Sequence, residues 1–261
     1  MKNNRLLIND KVLEYGILKP YSNIFAFSTT RHGGVGEGSY ATLNCTDYCG
    51  DSSENVKANL EILSASLPKR PHVFVIPRQT HTVNVRAITE VPIVENLQDV
   101  DAVVTRLKDV CLCVSTADCV PILIYDKVTE AIAAVHAGWR GTVGRIVEKT
   151  LEVMRTHYGT EGKDVVACIG PSISLESFEV GDEVYAAFSE TGFDMSLIAE
   201  RYEKWHLDLW EANRLQLLVH GVLSENIEVA GICTYQHHED FFSARRLGIK
   251  SGRILSGICR W

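Results

Sequence analysis

The 261-residue chain has no CxxC pair, no GK[ST] after its glycine-rich stretches, no apolar run near ~18 residues, and no excess of positive charge. Each absence removes a class of answer. Without CxxC spacing a structural zinc ribbon has no ligands. Without GK[ST], the stretch TTRHGGVGEGSY is not a phosphate-binding P-loop. Without a long apolar run no membrane span is expected. A net charge of −7 leaves no electrostatic footprint for nucleic acid, only room for a local basic pocket holding a small anion. The first twenty residues, MKNNRLLINDKVLEYGILKP, lack the apolar core of a signal peptide, so a cytoplasmic location is expected. No repeat, low-complexity tract or Pro/Gly/Ser linker divides the chain, and a single domain over 1–261 is expected.

What is present starts with eight cysteines. In a reducing compartment these are core residues, metal ligands or nucleophiles rather than disulfides. Cys111 and Cys113, in CLC, share one face of a strand and read as small buried hydrophobes. Cys45, Cys49, Cys168, Cys233 and Cys259 read the same way. Short β-branched runs bounded by turn residues predict strands over Ile24–Thr29, His72–Ile76, Asn84–Ile88, Ala102–Thr105, Cys111–Ser115, Ile122–Tyr125, Ile132–His136, Val165–Ile169 and Glu228–Gly231. Helical spacing predicts helices over Glu54–Leu67 and Thr142–Tyr158, with a shorter one over Asp182–Glu190. A fourth over Asp208–His220 opens on the capping box Asp208–Glu211. Strands and helices mix without regular alternation. The fold class expected is α+β, a layered sandwich of mixed β-sheets flanked by helices.

The stretch TADCVPILIYDKVTEAIAAVHAGWRGT reads as strand, turn, strand. A turn centred near Lys127–Val128 pairs Cys119 with His136, and a four-residue loop shifts that register by two. Either way a thiol and an imidazole become neighbours, since opposed Cβ atoms in an antiparallel pair lie about 4.5–5.5 Å apart. His81, in PRQTHTVNV, is a third candidate. Cysteine with two histidines and a vacant fourth position is a catalytic zinc set. A metal-free Cys119–His136 dyad and unrelated burial stay open on spacing alone.

After His136 the chain runs AGWRGT into a helix with Thr142 as its expected N-cap. Free N–H groups there, with Arg140, suit a phosphate or carboxylate seat; a tight turn with a surface arginine is the plainer reading. The glycines of TTRHGGVGEGSY suggest a mobile loop, with Arg31 as a second anion contact. The pair His237–His238 reads as solvated or hydrogen-bonded.

ADCVPI, HAGWRGT, QTH, CIGPSI and CTYQHHEDFFSARR followed by GR together resemble the YfiH/laccase-domain family. Its members carry a multicopper polyphenol oxidoreductase label and a later description as zinc-dependent purine nucleoside phosphorylases. The resemblance spans nearly the whole chain, and ADC joined to HAGWRGT is its most specific part. It implies a single-domain α+β layered fold and a metal on His81, Cys119 and His136, zinc with copper as the alternative. It implies phosphorolysis of adenosine, inosine or methylthioadenosine to free base and ribose 1-phosphate, with adenosine deamination as a side activity. The implied partners are a purine nucleoside and phosphate. Peptidoglycan-precursor editing by a hydrolase using Cys119 and His136 is one alternative, and copper-dependent polyphenol oxidation is another. Dioxygen-reducing phenol oxidases need several coppers, and the sequence offers one convincing cluster.

Within that chemistry, Asp118 is a candidate for orienting or proton transfer, with a turn-capping aspartate as the plainer reading. Gln79 is a candidate for holding base or ribose through its amide, and Arg140 with Arg31 for balancing phosphate charge. The chain departs from the family pattern twice. Tyr48–Cys49 replaces the usual histidine–valine in NCTDYCGD, and Ala244 removes an aromatic ring in FFSARR. Both changes bear on substrate preference rather than on the metal set.

Overall fold

Along Val110–Thr116 successive side chains face opposite ways, and this alternation builds the layers. In the computed structural model, which describes residues 7–8 and 11–261, Val110, Leu112 and Val114 point into one core and Cys111 and Cys113 into another. The first sheet has six strands in the order Leu7–Ile8, Val12–Glu14, Ile24–Thr29, Ile254–Arg260, Val110–Thr116 and Val73–Val75. The second, also six-stranded, runs Ile227–Val229, Val165–Ile169, Val120–Asp126, Ile132–Ala137, Ala102–Thr105 and Val85–Ile88. Each sheet is antiparallel at its centre; the first gains a parallel pairing at its Val73–Val75 edge and the second at both edges.

The two sheets face each other across Leu112, Val114, Ile254 and Ile258 from the first and Leu123, Tyr125, Ile132 and Ala134 from the second. The far side of the second sheet, through Ile122, Ile124, Ala133 and Val135, packs on Ile146, Leu151, Met154, Phe188 and Leu217. Those residues sit on helices Ile146–Tyr158, Asp182–Glu190 and Leu209–Val219. The far side of the first sheet is covered by Leu63 of helix Ser53–Ser66, with Leu43 and Cys45. The architecture is an α+β single-domain sandwich: helix, sheet, sheet, helices. No helix among the described residues is long and apolar enough to cross a membrane.

One central strand was not anticipated, and two local expectations change. Ile254–Arg260 holds the centre of the first sheet, although Ser256–Gly257 interrupts its apolar run. Gly257 is required there because an added Cβ would stand 2.7 Å from the Phe27 ring and 2.9 Å from Cys113 Sγ. The helix expected from Thr142 starts earlier, with Gly138 as N-cap of Trp139–Val143, and breaks at Arg145 before Ile146–Tyr158. Arg145 has φ +63°, a left-handed conformation that no helix interior tolerates. Thr142 is thus the fourth helical residue, its hydroxyl donating back to Gly138 O at 3.1 Å. The Asp208 cap forms, accepting from Glu211 N at 2.9 Å, but the return half of the box does not. Glu211 pairs with Arg214 at 2.7 Å instead, and Asp208 N donates to Ile198 O.

Candidate active site

Buried Asp126 sets the register of the hairpin. Its Oδ1 accepts from Val128 N and Thr129 N, and its Oδ2 from the Thr129 hydroxyl at 2.6 Å. The connection is therefore the four-residue Lys127–Glu130, and Pro121 rather than Cys119 lies opposite His136. Extending that register puts Cys119 across from Gly138. This is the two-residue shift of the alternative turn, and it still brings thiol and imidazole together. A Cβ on Gly138 would stand 2.8 Å from His81 Cδ2 and 3.0 Å from Cys119 Sγ. Only a glycine leaves this space for the ligands.

His81 completes the group. Its ring packs edge-on against His136 with centroids 4.9 Å apart, and its Nε2 lies 3.7 Å from Cys119 Sγ. The donor atoms of His81, Cys119 and His136 all fall within 4.8 Å of one another. His81 has φ +65°, a conformation that costs a histidine about 1 kcal/mol or more and persists only when its surroundings enforce it. Asp101 does the enforcing. Fully buried, it accepts from His81 N at 3.0 Å, from Thr82 N at 2.8 Å and from the Thr82 hydroxyl at 2.7 Å. It also accepts from His136 Nδ1 at 2.7 Å. A carboxylate can only accept, so Nδ1 carries the proton and Nε2 is left for the ligand role.

The charges follow from this geometry. Burial disfavours ionised Asp101, but the His136 and Thr82 donors outweigh it and lower the carboxyl to about 2. Burial likewise pushes the Cys119 thiol up, yet His136 and His81 bring it down to about 6. Burial pushes His136 down, while the Cys119 sulfur and Asp101 lift it to about 9. Both shifts favour charge separation between the Cys119 sulfur and the His136 ring. A metal held by both would compete with protons for the same lone pairs.

The group opens into a cavity of about 480 Å³ lined in part by Tyr48, Gln79, Ser115, Thr116, Asp118, Ala244, Arg245, Ile249 and Arg253. Gln79 lines it with its amide engaged: Oε1 accepts from Ser115 N and Nε2 donates to Ser115 O, both at 2.8 Å. That pairing fastens the His81 segment to strand Val110–Thr116. Tyr48 reaches the same point through its hydroxyl contact with Ser115. Asp118 lines the cavity with both oxygens occupied, by the Thr234 hydroxyl at 2.7 Å and Arg245 N at 2.6 Å.

Arg31 and Arg140 are not among the lining residues. Arg31 lies over Phe242 and donates to Ala41 O at 2.9 Å and His238 O at 2.8 Å, bracing a loop. That loop is tied down by Gly34 N to the Thr42 hydroxyl and Val35 N to Asn59 Oδ1. Arg140 lies over the Trp139 ring at 4.2 Å. His238 pairs with Glu239 at 3.0 Å, away from the lining. Sequence reasoning missed Asp101, Arg245, Arg253 and Ile249. Asp101 opens a buried strand, where an acidic residue was a signal to read. Nothing in the spacing linked it to His136.

Residues 25–261 match the family described as multi-copper polyphenol oxidoreductase laccase. The chain belongs to that family. A relative named purine nucleoside phosphorylase, from Bacteroides thetaiotaomicron, is 57% identical over 258 residues, 95% of this chain and 96% of the relative. A protein named adenosine deaminase RL5, from an unknown prokaryotic organism, is 42% identical over 252 residues, 93% of this chain and 96% of its own. Among solved structures, YlmD from Geobacillus stearothermophilus superposes with a TM-score of 0.89 at 32% identity, covering 96% of each chain.

A metal fits the residues in place. One soft sulfur and two imidazoles converge, a carboxylate orients one ring from behind, and Gly138 removes the side chain that would crowd them. The family description speaks of several coppers; the described residues hold one such group.

Proposed function

We propose that this protein is a zinc-dependent purine nucleoside phosphorylase acting on adenosine, inosine and methylthioadenosine, with adenosine deamination as a second reaction. The observation that carries the reading is the three-donor group of His81, Cys119 and His136 standing open at the cavity. Three protein ligands with a free position is a catalytic rather than structural zinc arrangement. At about 480 Å³ the cavity falls within the roughly 300–1,000 Å³ range of small-molecule sites. The two relatives' names supply the substrate class.

When bound, zinc supplies a Lewis acid that balances developing negative charge and makes nearby water more acidic. The chain's own residues do the rest. Cys119 and the two histidines fix where that charge sits, and Asp101 keeps His136 in one tautomer. Gln79 and Tyr48 hold the ends of the cavity wall together through Ser115. In phosphorolysis an oxygen of hydrogen phosphate bonds to C1′ as the C1′–N9 pair leaves with the purine. The phosphate's proton ends on the purine, giving free base and ribose 1-phosphate. In deamination water takes the place of phosphate and attacks C6; ammonia departs and inosine forms. The 42% identical adenosine deaminase favours this second use of the same cavity.

The test is product analysis. Inosine with phosphate should yield hypoxanthine and ribose 1-phosphate in equal amounts, and omission of phosphate should stop both. Hypoxanthine with free ribose in phosphate-free buffer would make the enzyme a hydrolase instead.

A further inference from the structure

Phosphorolysis needs a seat for a dianion, and the two arginines expected to form it do not line the cavity. The cavity's own cationic side chains are Arg245 and Arg253. Arg253 is committed to its own loop: Nη1 donates to Ser251 O and, at 3.1 Å, to Gly252 O, and Nη2 donates to Ile249 O at 2.7 Å. Arg245 is exposed; its guanidinium lies over the Phe178 ring at 5.6 Å and donates from Nη1 to Glu179 O at 3.2 Å. No carboxylate among the described residues forms an ion pair with it. Its guanidinium keeps donors for a ligand oxyanion, and the planar fork of arginine suits two phosphate oxygens at once.

Asp118 fixes where that guanidinium starts from. It precedes the ligand Cys119, has φ +83°, and accepts from Arg245 N at 2.6 Å and from the Thr234 hydroxyl at 2.7 Å. Its own carbonyl accepts from Ile173 N at 3.0 Å. The turn that carries a metal ligand thus also pins the backbone of the cavity's available cation. With each carboxylate oxygen accepting from a donor, Asp118 is held in position.

We propose that Arg245 is the phosphate-contacting residue of this site and that Asp118 is its positioning residue. The claim rests on the phosphorylase reading and sharpens it. The dianion sits between the metal group and Arg245, and its oxygen attacks C1′ with the proton bookkeeping given above.

The test measures phosphate and nucleoside separately on the full-length, zinc-loaded protein. In Arg245→Ala the KM for phosphate should rise about 10–100-fold, with the KM for inosine within about twofold. Arg245→Lys should fall between, keeping charge but losing the fork. Asp118→Ala should raise the phosphate KM less, about several-fold, with zinc content unchanged, and Asp118→Asn should recover part of the loss. Calorimetric titration with inorganic phosphate alone should show binding in the wild type that Arg245→Ala abolishes.

Equal rises in both KM values, or loss of phosphate heat in Arg140→Ala rather than Arg245→Ala, would overturn the proposal. The two claims fail separately. Arg245-dependent phosphate binding without phosphate-dependent turnover sinks the phosphorylase reading alone. Phosphate-dependent turnover with an unchanged phosphate KM in Arg245→Ala sinks this one alone.

Discussion

Cys119 and the thiols beneath the first sheet are the same side chain in opposite surroundings. Cys45, Cys111, Cys113 and Cys259 are buried against helix Ser53–Ser66, with Cys111 Sγ 3.6 Å from Cys113 Sγ. Their electrostatic neighbours among the described residues are other thiols, and burial pushes the thiols of Cys45, Cys111 and Cys259 upward. Cys119 meets the same burial penalty, but two imidazoles outweigh it. Burial alone turns cysteine into a small hydrophobe; imidazoles within reach turn it into a ligand.

Replacing one thiol from each region should break the comparison most sharply. Cys119→Ala should lose its zinc and about a thousandfold or more in inosine turnover. Cys113→Ala should keep both and cost about 1–2 kcal/mol in urea unfolding. If both substitutions left activity equal, the two regions would not differ in function.

Asp101→Asn comes next, with zinc affinity falling about 10–100-fold in a chelator competition. An asparagine amide cannot accept from every donor that Asp101 satisfies. Gly138→Ala should follow at about 1–3 kcal/mol of lost zinc binding. Gly138 has φ −67°, so alanine is tolerated by the backbone and the loss comes from crowding His81 and Cys119. The metal-free melting temperature should barely move.

Alkylation sharpens the comparison without mutation. In metal-stripped protein at pH 7, iodoacetamide should label Cys119 first, because its thiol is lowered to about 6. The rate should fall as pH drops below that value, zinc should protect, and the core thiols should label only on unfolding. Mass spectrometry of the modified peptides reads all three. The smallest effect is acid stability. Asp101 has a folded-state carboxyl lowered to about 2. Its contribution is complete above the unfolded value of about 4 and is lost as pH falls toward about 2. Asp101→Asn should flatten metal-free unfolding curves over that window, and, because Asp101 also helps lift His136 to about 9, it should weaken the stability that His136 loses as pH rises toward that value.

Much of this arrangement was legible in the sequence. The hairpin runs and the apolar stripes of the main helices fixed the layers, because each pattern has one way to bury its face. Cys119, His136 and His81 could be brought together on residue type and spacing. What failed was non-local or depended on one glycine. Ile254–Arg260 was hidden by Ser256–Gly257, whose reason is the Phe27 ring from another strand. The break at Arg145 lies in a stretch whose side chains keep helical spacing while one backbone angle reverses. Arg140 and Arg31 have the chemistry of an anion seat but do not line the cavity, since spacing says nothing about which way a loop carries its charge. Asp101 and Arg245 act through contacts 35 and 127 residues away in sequence, and no local pattern announces such pairs.

The central claim is that His81, Cys119 and His136 work as a metal site. Stripping the metal, then adding zinc back stepwise while following phosphate-dependent cleavage of inosine, tests it most directly. The account predicts that activity disappears on stripping and returns linearly, reaching its plateau at one zinc per chain. Stripped protein that keeps full activity yet dies on alkylation of Cys119 would contradict it and leave a metal-free thiol–imidazole dyad in its place.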